Sequence, residues 1–233
     1  MTPSCQYLFE VARDAVTRRD IVDFCTRDPG YRDYVAAFQE IRVSPVPPSE
    51  SHFAISETIG LTQWTKPEEY SDPDRFRRFR VFTNAVGIGL WFHWNDNFIH
   101  APNYLAIGLI DDLHALGDES LLAHLPQVFE DLRHTLAARE DSEAIFLLLG
   151  QLVLAFMGHA PGVDPAELAK QILAEESQYA EWGGGREDGF LWRCTFFDSL
   201  KNWWIRFIKL SFPKDSDNEW INLLRESLNP GGW

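Results

Sequence analysis

The sequence predicts an all-α fold, a multi-helix bundle of about eight to nine helices with short connections. Three observations support this class. Apolar residues recur three and four positions apart along most of the chain, which is the period of an amphipathic helix. Pairs in which proline follows an N-capping residue, such as Asp72-Pro73 and Asp164-Pro165, mark helix starts. Glycines and prolines then end several of these apolar patterns after a helix-length run.

The length of 233 residues is enough to bury one sizeable hydrophobic core, so we expect a single helical domain over residues 1–233. The proline-rich segment 44–51 is not expected to be helical, because prolines lack the backbone donor and push the preceding residue into extended conformations. We expect this segment to be a stiff connector that follows a possible N-terminal helical subunit at 1–43.

Two helices are predicted before the connector. The first begins at Thr2-Pro3 and lasts until the stop signal Asp28-Pro29-Gly30, and the second covers residues 31–42. After the connector, residues 52–64 fit neither the helical nor the strand period cleanly, and their structure stays open at this point.

The middle of the chain carries the clearest helical patterns. Residues 73–94 have apolar side chains on several faces and are expected to form a central helix, and residues 102–116 form another that stops at Gly117. Asp118 caps the next helix, in which Pro126 is expected to produce a kink or to split off the first turn.

Three patterns follow towards the end of the sequence. Residues 144–157 are almost entirely apolar, but fourteen residues are fewer than the roughly twenty that a membrane span needs, so we interpret them as a buried helix. Asp164-Pro165 opens a helix that the glycines 183–185 end. The aromatic segment 190–212 is helical in period and is interpreted as core, with a protein interface as the alternative.

Charge is the most informative global feature. The net charge is −14, and residues 103–189 alone carry 16 acidic and 4 basic side chains, which leaves −12 in that segment. Such a field repels phosphate backbones and attracts basic proteins, so a basic protein partner is expected and direct nucleic-acid binding is not. The alternative is that these residues only solvate exposed helix faces. The candidate binding residues are Asp111, Asp112, Glu130, Asp131, Glu175 and Glu176.

Two groups of residues have spacings that suggest metal binding. His93, Asp96 and His100 are spaced i, i+3 and i+7, which would place them on one helical face. The pairs Asp111-x-x-His114 and Asp131-x-x-His134 resemble half-sites of metal-binding bundles. A turn at 94–97 and exposed polar faces explain these residues more simply, so we expect neither a metal ion nor another cofactor.

Other sequence features point away from catalysis. The glycines 183–185 lack the Lys-Ser/Thr of a phosphate-binding loop, and no GxSxG elbow is present. Cys5, Cys25 and Cys194 form no CxxC pair and are interpreted as buried thiols of a cytoplasmic protein. The arginines at 75, 77, 78 and 80 could clamp an anion, but ion pairs within the protein are the favoured interpretation.

These observations lead to one functional hypothesis and two alternatives. The hypothesis is a cytoplasmic, non-enzymatic protein-binding domain that acts as a stoichiometric inhibitor of a basic partner, in the manner of a bacterial immunity protein or an antitoxin. The first alternative is a metal-dependent enzyme of a helical fold. The second is a dimeric scaffold or regulatory domain that associates through its aromatic C-terminal segment. No membrane association is expected.

Overall fold

The computed structural model describes residues 3–27, 30–43, 51–94, 102–137, 144–181 and 222, and within these ranges it contains nine α-helices and no strand. The predicted all-α class is therefore confirmed. The helices are α1 (Pro3–Ala15), α2 (Arg18–Cys25), α3 (Arg32–Ile41), α4 (His52–Trp64), α5 (Pro73–Trp94), α6 (Pro102–Leu116), α7 (Glu119–Ala137), α8 (Ala144–Phe156) and α9 (Pro165–Glu181). A 3₁₀ turn at Pro67–Glu69 connects α4 to α5.

The internal contacts group the chain into two compact units, Met1–Asp131 and Leu132–Trp233. In the first unit α5 is the central helix and packs against α1, α2, α4, α6 and the 3₁₀ turn. Six phenylalanines among the described residues of this unit are buried: Phe9, Phe38, Phe76, Phe79, Phe82 and Phe129. They supply the large apolar area that makes the folding of this unit favourable.

Residues on both sides of the proline-rich segment share this aromatic core. The ring of Phe9 in α1 lies 5.9 Å from that of Phe82 in α5, and the ring of Phe38 in α3 lies 6.1 Å from those of Phe79 and Phe82. The described residues of 1–43 therefore share this core and fall in the same unit as α4 to α6. The possible separate N-terminal subunit is not supported.

Thr17 divides the first predicted helix into α1 and α2. Its backbone is extended, its hydroxyl accepts a hydrogen bond from the amide of Asp20, and the Asp20 carboxylate accepts one from the amide of Thr17 at 2.8 Å. This capping box satisfies donors that a helix start otherwise leaves unpaired. The prediction of one continuous helix to residue 27 was wrong, because a helical apolar period continues across a break that only the cap chemistry reveals.

The aspartates that were predicted to start helices do so. The side chains of Asp72, Asp118 and Asp164 accept hydrogen bonds from backbone amides in the first turns of α5, α7 and α9, at 3.0, 3.1 and 2.9 Å respectively. Gly117 ends α6 with a φ of +66°, a conformation that favours glycine. The amide of Gly117 bonds to the carbonyl of His114 and that of Asp118 to the carbonyl of Leu113, which is a Schellman motif.

The structure resolves two points that the sequence left open, namely the conformation of residues 52–64 and the effect of Pro126 on its helix. Residues 52–64, which had been left open, form α4. Helix α7 runs from Glu119 to Ala137 with Pro126 inside it, so the proline does not split off a separate first turn.

The described part of the second unit contains α8 and α9, which pack against each other. Helix α8 buries most of its length, as its composition predicted, and Leu168, Ala169 and Ile172 of α9 are buried as well. No helix in the described ranges combines the length and the apolar character that crossing a bilayer requires. The glycines 183–185 and the aromatic segment 190–212 lie outside the described residues.

Candidate functional site

The acidic residues predicted to bind a partner differ sharply in exposure. Asp111 in α6 is exposed, whereas its neighbour Asp112 is 1% exposed. The prediction that Asp112 contributes to a docking surface was therefore wrong. Consecutive residues on a helix point about 100° apart, so one aspartate can face solvent while the next faces the core.

Asp112 is buried because it pairs with Arg80 of α5. The Nε of Arg80 donates to Oδ2 of Asp112 at 2.6 Å, and Nη2 donates to Oδ1, which makes the contact bidentate. Arg80 Nη1 also donates to the backbone carbonyl of Thr65 at 3.2 Å. Burial raises the pKa of the Asp112 carboxyl, and the Arg80 guanidinium acts in the opposite direction.

Three of the four clustered arginines on α5 form ion pairs within the protein, as predicted. Besides the pairing of Arg80, Arg75 pairs with Asp20 and Asp23, and Arg77 pairs with Glu68 and Asp74. Arg78 is exposed on α5. The cluster therefore fastens α5 to its neighbours in the first unit, and these three arginines are already occupied by carboxylates.

The other predicted acidic residues lie on α7 and α9. Glu130 and Asp131 are partly exposed, and Asp131 accepts a hydrogen bond from Gln127 at 2.9 Å. Glu175 and Glu176 are in α9, and their side chains lie outside the described part of the structure. Asp111, Glu130 and Asp131 thus reach the surface, and their role as docking residues stays a prediction.

A polar layer lies between α4, α5 and α6. The hydroxyls of Thr62 and Thr83 are 3.1 Å apart, and the Gln63 amide donates to Oδ1 of the fully buried Asn84. The Nδ2 of Asn84 is buried and has no hydrogen-bond partner among the residues that the structure describes. A Cβ on Gly108 of α6 would lie 2.7 Å from this nitrogen, so the glycine allows α6 to approach the polar layer.

Helix α4 exposes large apolar side chains as well as burying others. Ile55 and Ile59 are buried, whereas Phe53, Leu61 and Trp64 are 65%, 43% and 67% exposed. On a helix with about 100° between consecutive residues, Phe53 and Trp64 point within roughly 20° of each other and Leu61 lies roughly 60–80° from them. The three residues therefore share one side of α4, which we call the α4 stripe. Exposed apolar stripes of this kind are typical of protein-interaction surfaces.

A cleft of about 210 Å³ adjoins the α4 stripe and shares Leu61 with it. Its walls come from α2, the residues between α2 and α3, α4, α5 and the segment after the 3₁₀ turn. The described residues that line it are Phe24, Cys25, Arg27, Tyr31, Thr58, Leu61, Thr62, Thr65, Tyr70 and Phe76. The guanidinium of Arg27 lies over the Tyr70 ring, 3.5 Å from its centroid, and the Tyr70 ring stacks on Phe76 at 4.2 Å.

The residues predicted as metal ligands are only partly described. His93 lies in the last turn of α5 with its side chain outside the described part, and Asp96 and His100 lie outside it altogether. His114 and His134 are exposed. Among the described residues, no group of three potential ligands is close enough to hold a metal ion.

Two of the three cysteines are described, and both are buried. Cys5 lies in α1 and Cys25 in α2, and neither forms a disulfide. Burial raises the pKa of Cys25 to about 12, so its thiol stays protonated at neutral pH. Cys25 contributes an apolar wall to the cleft rather than a nucleophile. Cys194 lies outside the described residues.

No family model, curated protein sequence or solved structure matches this chain. The surface features therefore have to be interpreted from their own chemistry. The α4 stripe and the cleft were both missed by the sequence reasoning, because apolar residues on two faces of α4 obscured its period. The i, i+8, i+11 spacing of Phe53, Leu61 and Trp64 would have identified the stripe once the segment was taken as helical.

Proposed function

We propose that this chain is a protein-binding domain that acts as a stoichiometric inhibitor of a basic partner, in the manner of an immunity protein or an antitoxin that neutralises a toxin. The observation that carries the proposal is the exposed α4 stripe in a chain of net charge −14. An apolar centre with charged surroundings is the usual arrangement of a specific protein interface.

The charges around the stripe have the sign that a basic partner needs. Residues 51–72, which contain α4 and the 3₁₀ turn, carry four acidic side chains and one lysine, a net charge of −3. Glu57 is exposed on α4 between Phe53 and Leu61. Opposite charges steer association and accelerate it, while the apolar anchors determine how long the complex persists.

Asp111 and the partly exposed Glu130 and Asp131 add to this field in the first unit. An inhibitor of this kind acts by occupying the surface that its target needs, so its own requirements are a complementary shape and charge. The proposal thus assigns the apolar contact to α4 and the long-range attraction to the acidic side chains.

The first experiment is affinity capture of the tagged chain from its native host at several wash salt concentrations, with identification by mass spectrometry. The purified partner is then titrated into the chain by calorimetry. We expect a basic protein, a one-to-one complex, weaker binding at high salt, and loss of the partner's activity at equimolar ratio.

The stripe is tested with the double variant Phe53→Ser/Trp64→Ser. If each aromatic is a hot spot of about 2 kcal/mol, each substitution weakens binding roughly thirtyfold. Tyr7→Ser is the matched control, since it removes an exposed aromatic ring from α1. Capture of no basic protein, or a double variant that binds and inhibits as the parent does, would overturn the proposal.

A further inference from the structure

The cleft beside α4 has the size and the chemistry of a site for a small ligand. Its volume of about 210 Å³ exceeds the roughly 150 Å³ of an apolar cavity that holds benzene, and it is smaller than sites for drug-sized molecules. A single ring with a short arm therefore fits. The rings of Phe24, Tyr70 and Phe76 form one wall, with Phe24 edge-on to both of the others at 4.9 and 5.3 Å.

Arg27 gives this aromatic cleft a cationic edge. Its guanidinium lies over the Tyr70 ring and makes no hydrogen bond or ion pair with any residue that the structure describes, whereas Arg75 and Arg77 each bind two carboxylates. Stacking occupies the face of a guanidinium and leaves the N–H groups at its edge able to donate. The stack also fixes the side chain, so less conformational entropy is lost when an anion binds.

The other polar groups in the cleft favour the same kind of ligand. The hydroxyls of Thr58, Thr62 and Thr65 donate to carbonyls of their own helix, at 3.1, 2.8 and 2.9 Å. Arg27 is thus the strongest donor among the described lining residues, and none of these residues carries a negative charge. Among these described lining residues, no acid competes with a carboxylate ligand for Arg27, and the rings can contact the apolar group of that ligand.

We propose that this cleft binds a carboxylate attached to an aromatic or aliphatic group of about ten heavy atoms, with Arg27 as the carboxylate-binding residue and Tyr70 as its support. Such a group can be a free small molecule or the C-terminal residue of a peptide. This site does not depend on the proposed inhibitor function, which rests on the α4 stripe and on acidic residues.

The probe for the experiment is 3-phenylpropionate, which has eleven heavy atoms. A ligand of this size is expected to bind with a Kd on the order of 1 mM. Binding is measured by titrating the probe into the full chain and recording ¹⁵N–¹H correlation spectra. We expect saturable shifts at residues that line the cleft. Arg27→Gln should weaken binding about tenfold, as should replacing the carboxylate by the amide in 3-phenylpropanamide.

Arg78→Gln is the matched control, because Arg78 is exposed and does not line the cleft. This variant should bind as the parent does. Arg27→Lys keeps the charge but lacks the planar stack, and it should recover only part of the affinity. Both Arg27 variants change an exposed side chain, and their circular dichroism spectra should match that of the parent.

The source of the carboxylate is distinguished with acetyl-Ala-Ala-Phe, as the free acid and as the C-terminal amide. Tighter binding of the free-acid peptide than of 3-phenylpropionate identifies a protein C-terminus as the ligand, and weaker binding identifies a small molecule. Absence of saturable shifts with both acids overturns the proposal, as does binding that Arg27→Gln leaves unchanged. Neither result affects the inhibitor proposal, whose readout is the captured partner.

Discussion

Arg80 of α5 binds both carboxylate oxygens of Asp112 in α6 within the core of the first unit, and the adjacent residue Asp111 faces solvent. Two adjacent aspartates therefore have different roles in the protein. One is an internal ion pair that depends on the fold, and the other belongs to the acidic surface. A substitution of Asp112 therefore tests the stability of the fold, and a substitution of Asp111 tests the binding of a partner.

Asp112→Ala should destabilise the protein by about 3–5 kcal/mol, because it leaves the largely buried Arg80 guanidinium without its counter-charge. The measurement is urea unfolding followed by circular dichroism. Asp111→Ala is the control and should change the free energy of unfolding by less than about 0.5 kcal/mol. Equal effects at the two positions would contradict the burial of Asp112.

Asp20 should make the stability depend on pH in the acid range. Burial alone raises its pKa, but hydrogen bonds from Thr17 and the contact with Arg75 outweigh burial and hold the pKa below its usual value of 3.8. A lowered pKa in the folded state stabilises the protein above that value, and the contribution disappears as the pH falls through the folded-state pKa.

The test is to compare the parent with Asp20→Asn from neutral pH down to about pH 2 by urea unfolding. The parent should be the more stable protein at neutral pH, and the difference should shrink as Asp20 becomes protonated. A difference that stays constant across the whole series would show that the charge of Asp20 does not contribute.

Gly108→Ala should destabilise the protein, although alanine is the better helix former by about 1 kcal/mol. The added Cβ would lie 2.7 Å from Nδ2 of Asn84 and 3.0 Å from Oε1 of Gln63. Asn84 is fully buried, so its side chain can yield only by displacing its neighbours in the close-packed interior. We expect a net cost of about 1–3 kcal/mol, measured by thermal and urea unfolding.

The double variant Gly108→Ala/Asn84→Ala checks this explanation. If the clash is the cause, the glycine substitution costs less when Asn84 has been shortened, and the two changes are strongly non-additive. Additive costs would mean that Gly108 is needed for another reason.

Asp118→Ala should cost about 1 kcal/mol, because the side chain accepts a hydrogen bond from the amide of Leu121 at the start of α7. Asp118→Asn keeps an acceptor at this position and should lie within a few tenths of a kcal/mol of the parent. If the two variants are equally destabilised, the negative charge rather than the hydrogen bond stabilises this helix start.

Local chemistry explains which parts of the fold were predictable. The aspartate caps before α5, α7 and α9 and the glycine after α6 act within one helical turn, so the sequence alone identifies them. The apolar composition of α8 likewise predicted a buried helix from the sequence alone. The break at Thr17 was missed because the apolar period continues across it, and the fold of 52–64 was missed because α4 has apolar residues on opposite faces.

The candidate sites were less predictable because they depend on contacts between distant residues. The pairing of Arg80 with Asp112 spans 32 positions, and no local pattern distinguishes Asp112 from Asp111. The cleft combines residues from five segments of the first unit, so its composition follows from the packing rather than from a motif. The ion-pair role of the arginines was predictable because so many acidic residues were available to them.

The two buried thiols of α1 and α2 provide a native chemical label for the motions of the first unit. Cys5 and Cys25 are both buried, and the raised pKa of Cys25 keeps its thiol protonated and slow to react in the folded cleft that it lines. The rate at which each is modified, resolved by peptide mapping, therefore reports how often that helix opens. If a bound partner or carboxylate slows the modification of Cys25, then binding of that ligand is coupled to the opening of α2. This coupling is measured without introducing a probe into the protein.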